Sequence, residues 1–326
     1  MKMPLFYYQI NNSNSPSAPT SFATSESSTS CSTLADGILA CRLARLPLLH
    51  TPLLCRLPFL AAGLLLGGAL WWVTRRMYGN LGGYTALALY CFCPAVIQAV
   101  VTPAPEVLAA LGLYAGVYTA IGVAHAMQGP CRKWRPRIVL LTAAFALAAT
   151  SHIVALALAA LLGLALMLWI AEGRRAQILP IVLLSSCGAL LALFVCYGLS
   201  PSAFGSVFRS QSGFLSFSLD PARRFFFTLP HAGIALATAA ALAFFLTLPR
   251  SRYFGNTTPL LCASVCIVLV TTGAPTLWAL PFLLTFIAGL FADAYDSARP
   301  RLALAAGATL LALQAACSLF DLLRTI

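Results

Sequence analysis

Six side chains of this 326-residue chain have the types and settings that chemistry needs. Three could move a proton: the carboxylates of Asp36 and Glu106 and the imidazole of His152. Three could hold an anion: Arg209, Arg223 and Arg224, whose guanidiniums clamp phosphate through paired hydrogen bonds. Glu106 follows Thr102-Pro103-Ala104-Pro105 and opens an apolar run. It reads either as a general base or as a helix-N-terminal charge that gains from the dipole. His152 ends Thr150-Ser151-His152, a polar break in a long apolar run, where a turn or packing role competes with catalysis. The three arginines lie in the polar interval Ser200–Thr228, where a solvated face or lipid headgroups are the rival explanation. Asp220, just before Pro221, reads as a helix cap.

The elements that must position these groups are set by composition. Sixty per cent of the residues are hydrophobic, nine per cent are charged, and the mean hydropathy is +0.88. A soluble domain carries about a quarter charged residues, so the chain is a polytopic membrane protein. Its net charge of +12 sits in short loops between apolar runs, which argues for membrane topology and against nucleic-acid binding. Most of the eleven cysteines fall inside apolar runs, where they act as small hydrophobes. No metal site or cofactor is expected. There is no phosphate-binding glycine loop, no dinucleotide fingerprint, no zinc-protease motif and no nucleophile elbow.

The expected fold is all α-helical, a bundle of about ten spans with a disordered N-terminal tail. Residues 1–33 are Ser/Thr-rich and too polar to bury a core. Residues 34–56 are apolar but interrupted by Arg42, Arg45, Pro47, His50, Pro52 and Arg56, which suits an interfacial amphipathic segment. Residues 57–326 form the multispanning domain. Arg75, Arg76, Arg132, Lys133, Arg135, Arg137, Arg174, Arg175, Arg250, Arg252, Arg299 and Arg301 mark cytoplasmic loops, because basic residues beside spans resist translocation. Asp36, Glu106, His152 and the loop of residues 200–228 then share the outer face.

The stretch LLLGGALWWVTRRMYGNLGGYTALALYCFCPAVIQ, followed by VTPAPEVLAALG, resembles the early membrane helices of GT-C glycosyltransferases. More narrowly, it resembles the family-39-like group that includes aminoarabinose and mannosyl transferases. It covers roughly residues 57–175, with an echo at Trp278-Ala279-Leu280-Pro281. It implies a cell-envelope enzyme of the inner (plasma) membrane that takes sugar from a polyprenyl-phosphate donor on the outer face. In that family the catalytic acid usually follows an N-terminal span. Here the first 56 residues hold the Ser/Thr tract and the broken segment, and Asp36 is the acid that stands there. The family's short-helix pair often carries a lysine in its turn; His152 stands near that place. The alternatives are a transporter or flippase, which would require a polar path through the bundle, and a truncated or non-catalytic homologue.

Overall fold

The computed structural model describes residues 37–44, 56–101, 104–129, 134–209, 217–297 and 300–325. The tract of residues 1–33, Asp36, most of the 34–56 segment, Arg132 and Lys133 of the basic loop, Arg299, and 210–216 of the outer loop lie outside them. Among the described residues every regular element is a helix. In chain order these are α1 Ile38–Ala44, α2 Leu57–Cys91, α3 Pro94–Val101, α4 Pro105–Met127, α5 Arg135–Ser151, α6 Ile153–Ile170 and α7 Arg175–Cys196. Then come α8 Pro201–Arg209, α9 Asp220–Phe227, α10 Ala232–Thr247, α11 Phe254–Val270, α12 Leu280–Tyr295 and α13 Pro300–Thr325. Single 3-10 turns, Leu229–His231 and Thr276–Trp278, precede α10 and α12. Seven helical stretches are long and apolar enough to cross a membrane, and Phe254–Val270 is apolar but shorter. The chain is built as a multi-pass membrane protein.

The longest helix, α2, is in fact two arms. Gly79 has φ 76° and ψ −173°, a conformation open essentially only to glycine, and the chain doubles back there. A Cβ on Gly83 would lie 2.9 Å from that of Arg75. Tyr90 Oη donates to the Gly63 carbonyl at 2.7 Å. These pairings make residues 57–78 and 80–91 antiparallel, with α3 continuing the second arm. Open space surrounds Gly79, so a methyl group there meets no atom. Gly79→Ala is therefore expected to cost only the backbone strain, about 1–3 kcal/mol, visible as a lower unfolding midpoint in detergent. An unchanged midpoint would show that the tip does not hold this conformation.

Two helices form the centre. Along most of α12 every residue is buried, and α4 is nearly as enclosed. They meet where Tyr114 Oη lies 2.9 Å from Thr285 Oγ1, with Phe282 against the Tyr114 ring. Gly112, Gly116 and Ala120, spaced four apart on α4, let α5 and α6 come close, as small residues do in helix packing within lipid. Gly112 packs on Ala148 while Arg137 donates to the Gly122 carbonyl, so α4 and α5 are antiparallel. Gly116 faces Ala159 and Gly163 faces Ala120, so α4 and α6 are parallel. Hence α5 and α6 are an antiparallel pair, broken at His152, whose backbone is extended (φ −160°, ψ 121°).

The arginine-rich end is tied by polar contacts. Pro259 lies inside α11 and lacks an N–H, which leaves the Gly255 carbonyl without its helical donor. Tyr78 Oη supplies one at 2.6 Å from the tip of α2. Asn256 Nδ2 donates to the Ser251 carbonyl at 2.9 Å and to Asp293 Oδ2 at 2.6 Å, and Tyr253 Oη donates to Asp293 Oδ1 at 3.2 Å. Burial first, and then the Asp293 carboxylate, push the Tyr253 phenol above its ordinary range, so it stays protonated and donates. The Trp169 ring packs edge-on against Phe254. The tip of α2 and the ends of α6, α10 and α12 thus share one end of the bundle with the start of α11.

Most of α13 faces outward, and one residue anchors it. Gln314 is fully buried; its Nε2 donates to the carbonyls of Phe92 at 3.0 Å and Pro230 at 2.9 Å. Its Oε1 accepts the Ile234 N–H at 3.0 Å. Ser318 Oγ also donates to the Phe92 carbonyl. All of these are backbone groups that a chain break or helix start leaves unpaired, which in lipid must be satisfied from elsewhere.

Candidate functional site

The opposite end of the bundle gathers the interruptions between helices. These are the break between α3 and α4, the turn at His152, the 3-10 turn Thr276–Trp278, and the interval holding α8 and α9. Gly37 sits among them with φ +76°. Its N–H donates to the Ser151 carbonyl at 2.9 Å, a group released because α5 ends there. A Cβ on Gly37 would lie 3.0 Å from both Cβ and Cγ of Pro105. One residue therefore touches Pro105, which precedes Glu106, and Ser151, which precedes His152. Asp36 is the residue before Gly37 in the chain and itself lies outside the described residues.

Glu106 stands in the first turn of α4, where helix N–H groups point at a carboxylate. Proline at the first helical position and an extended Ala104 (φ −108°, ψ 145°) set that start. Glu106 is half-buried, and no described residue pairs with its charge or donates a hydrogen bond to it. His152 is half-buried too. Its ring meets the buried Trp278 edge-on, with centroids 4.9 Å apart. The indole N–H of Trp278 is buried and has no acceptor among the described residues. The 3-10 turn bearing it packs on α3 and α4, which ties the α5–α6 turn to the helix start that carries Glu106.

No family model matches this chain, and neither a curated protein nor a solved structure is significantly similar to it.

The arginine set is placed differently. Arg209 is the last residue of α8. Arg223 and Arg224 are exposed on α9, whose other face buries Phe225. That helix packs on α10, α11 and the Trp278 turn, so both arginines belong to the same end of the bundle as Glu106 and His152. No described contact joins them to either. Asp220 does not cap α9 with its side chain; it opens the first turn, and its own N–H donates to Ser218 Oγ at 3.2 Å. Sequence reasoning missed Gly37, whose only signal was a glycine between a carboxylate and an apolar run. It also passed over Arg42, whose guanidinium lies near Gly198 at the end of α7 and adds a cation to this face. Among the described residues no group of three His, Cys, Asp or Glu side chains could hold a metal. Cys91, Cys93, Cys187, Cys196, Cys262, Cys266 and Cys317 are free thiols.

Proposed function

We propose that this protein is a GT-C-like membrane glycosyltransferase, resident in the inner (plasma) membrane. It would transfer a sugar from a polyprenyl-phosphate donor on the outer membrane face. The observation that carries the reading is Gly37, which touches the residues next to Glu106 and His152 and directly follows Asp36. Sugar transfer needs a carboxylate within hydrogen-bond reach of the acceptor hydroxyl and fixed cations for the phosphate that leaves. Asp36 or Glu106 is the base in this reading, with His152 positioned beside it on Trp278. Arg209, Arg223 and Arg224 are the phosphate clamp.

The same reading has about ten crossings. The antiparallel arms of α2 support two crossings in place of one, and the 17-residue helices α5 and α11 support two more. With the arginine-rich end inside, residues 200–228 lie outside.

The test is sugar transfer by the purified protein in liposomes supplied with a polyprenyl-phosphate sugar. Glu106→Gln is expected to keep donor binding and to lower transfer at least about a hundredfold. If Asp36 is the base, Asp36→Asn takes that effect and Glu106→Gln spares it. Arg224→Ala should weaken donor binding about tenfold or more, with Arg224→Lys between, because lysine keeps the charge but loses the fork. Movement of the lipid-linked substrate across the bilayer without transfer would replace this reading by a flippase. Absence of any donor binding would replace it by a non-catalytic homologue.

A further inference from the structure

A second feature lies away from the candidate site, in the half of the bundle nearest the arginine-rich end. There α13 stands off its neighbours and leaves a cavity of about 220 Å³ between α2, α10, α12 and α13. Thr85, Ala241, Phe244, Phe291, Ala306 and Gly307 line it, and Thr85 is the one residue of the whole lining with a polar side chain. The gap has a physical origin. At the far end, Gln314 holds α13 so close that a Cβ on Gly233 would come within 2.6 Å of the glutamine's own Cβ. At the near end, the Phe291 ring fills the place a Cβ on Gly307 would take, so α12 and α13 meet again there. Small side chains line the space between, and the exposed Ala240 and Ala306 sit on facing helices at its lateral opening.

We propose that this cavity holds one acyl chain of an anionic phospholipid from the inner leaflet. An apolar space open sideways to the bilayer has no polar partners for water, so hydrocarbon is its natural filling. Its volume is below the roughly 300–1,000 Å³ of a pocket that encloses a whole ligand, which suits a length of chain whose headgroup stays outside. Charge selects the headgroup. Arg301 is exposed in the first turn of α13, two residues before the lining Ala303, and Arg250 and Arg252 follow α10 at the same end. Of the nearby carboxylates, Asp293 is half-buried under Asn256 and Tyr253 and Asp296 is exposed, so the three arginines outnumber them. The donor proposed above binds at the opposite end, so this site is independent of the donor assignment; only its leaflet rests on the orientation in that reading.

The experiment is photocrosslinking in liposomes with phosphatidylglycerol carrying a diazirine near the end of one acyl chain. Label should appear on α10, α12 and α13 peptides that line the cavity. A phosphatidylcholine probe of the same chain should label them several-fold less. Ala306→Phe, which fills the cavity, should abolish labelling there, and Arg301→Ala should lower it about fivefold, the worth of one basic residue near an anionic surface. Ala240→Phe fills the same space from α10 and serves as the second variant if Ala306→Phe does not fold. Equal labelling by both probes overturns the headgroup assignment. Unchanged labelling in a folded cavity-filling variant overturns the site, and so does preferential labelling by a polyprenyl-phosphate probe.

Discussion

Gln314→Leu is expected to detach α13 from the bundle. The substitution keeps the size of the side chain but leaves the Ile234 N–H and the Pro230 carbonyl without the partner that now meets them. The Phe92 carbonyl keeps Ser318. An unsatisfied buried group costs roughly 1–3 kcal/mol, although hydrogen bonds measured within lipid average nearer 0.6 kcal/mol. Two orphaned groups then cost between about 1 and about 6 kcal/mol. Both groups face a packed interface, where water cannot replace the lost amide. The variant should unfold at a markedly lower temperature in detergent and become open to proteolysis between α12 and α13. Thr309→Ala on the exposed side of α13 is the control, since its hydroxyl only bonds its own helix at Ala305. Equal stability of the two variants would show that Gln314 does not anchor the helix.

Gly112→Leu is expected to be worse. An added Cβ at Gly112 would lie 2.5 Å from the Ala148 nitrogen and 2.8 Å from its Cα. Those are backbone atoms of α5, so no side chain can rotate out of the way. The helices must separate, and α4 is packed by α5 and α6 along the same small-residue face. Overpacking typically costs about 1–3 kcal/mol where side chains can adjust, and a backbone clash on this central pair should exceed that. The expected outcome is loss of folded protein on extraction, or a midpoint too low to measure. Gly122→Leu, on the same helix but facing open space, should behave like the parent. A stable Gly112→Leu protein would mean that α4 and α5 do not approach as closely as the fold requires.

Much of this architecture could be read from residue types. Apolar runs bounded by arginines located the helices, and Thr150-Ser151-His152 marked the break between α5 and α6. Prolines at 94, 105 and 281 stand at or next to helix starts, as a residue without an N–H should. What could not be read is pairing across distance. The spacing of Gly112, Gly116 and Ala120 advertises a close-packing face, but nothing in the chain says that Ala148 and Ala159 fill it. Asn256, Thr257 and Thr258 look like loop residues, yet they belong to α11, because Tyr78 from 177 positions earlier repairs the carbonyl that Pro259 leaves open. Gln314 is a lone amide in an apolar run, and its meaning depends on three backbone groups in two other places. The candidate site was legible to the same degree. Glu106 and His152 stood out as polar groups in apolar surroundings. That a glycine next to Asp36 touches the neighbour of each required the fold.

The anchoring of α13 also has a consequence for how the protein is made. Synthesis runs from the N-terminus, so Phe92 and Ile234 leave the ribosome 222 and 80 residues ahead of Gln314. Until α13 arrives, the break before α3 and the start of α10 present backbone groups that hydrocarbon cannot satisfy. A nascent chain halted before residue 314 would hold those backbone groups open. Translation of α13 is then the step that supplies partners to these groups, chiefly through one amide.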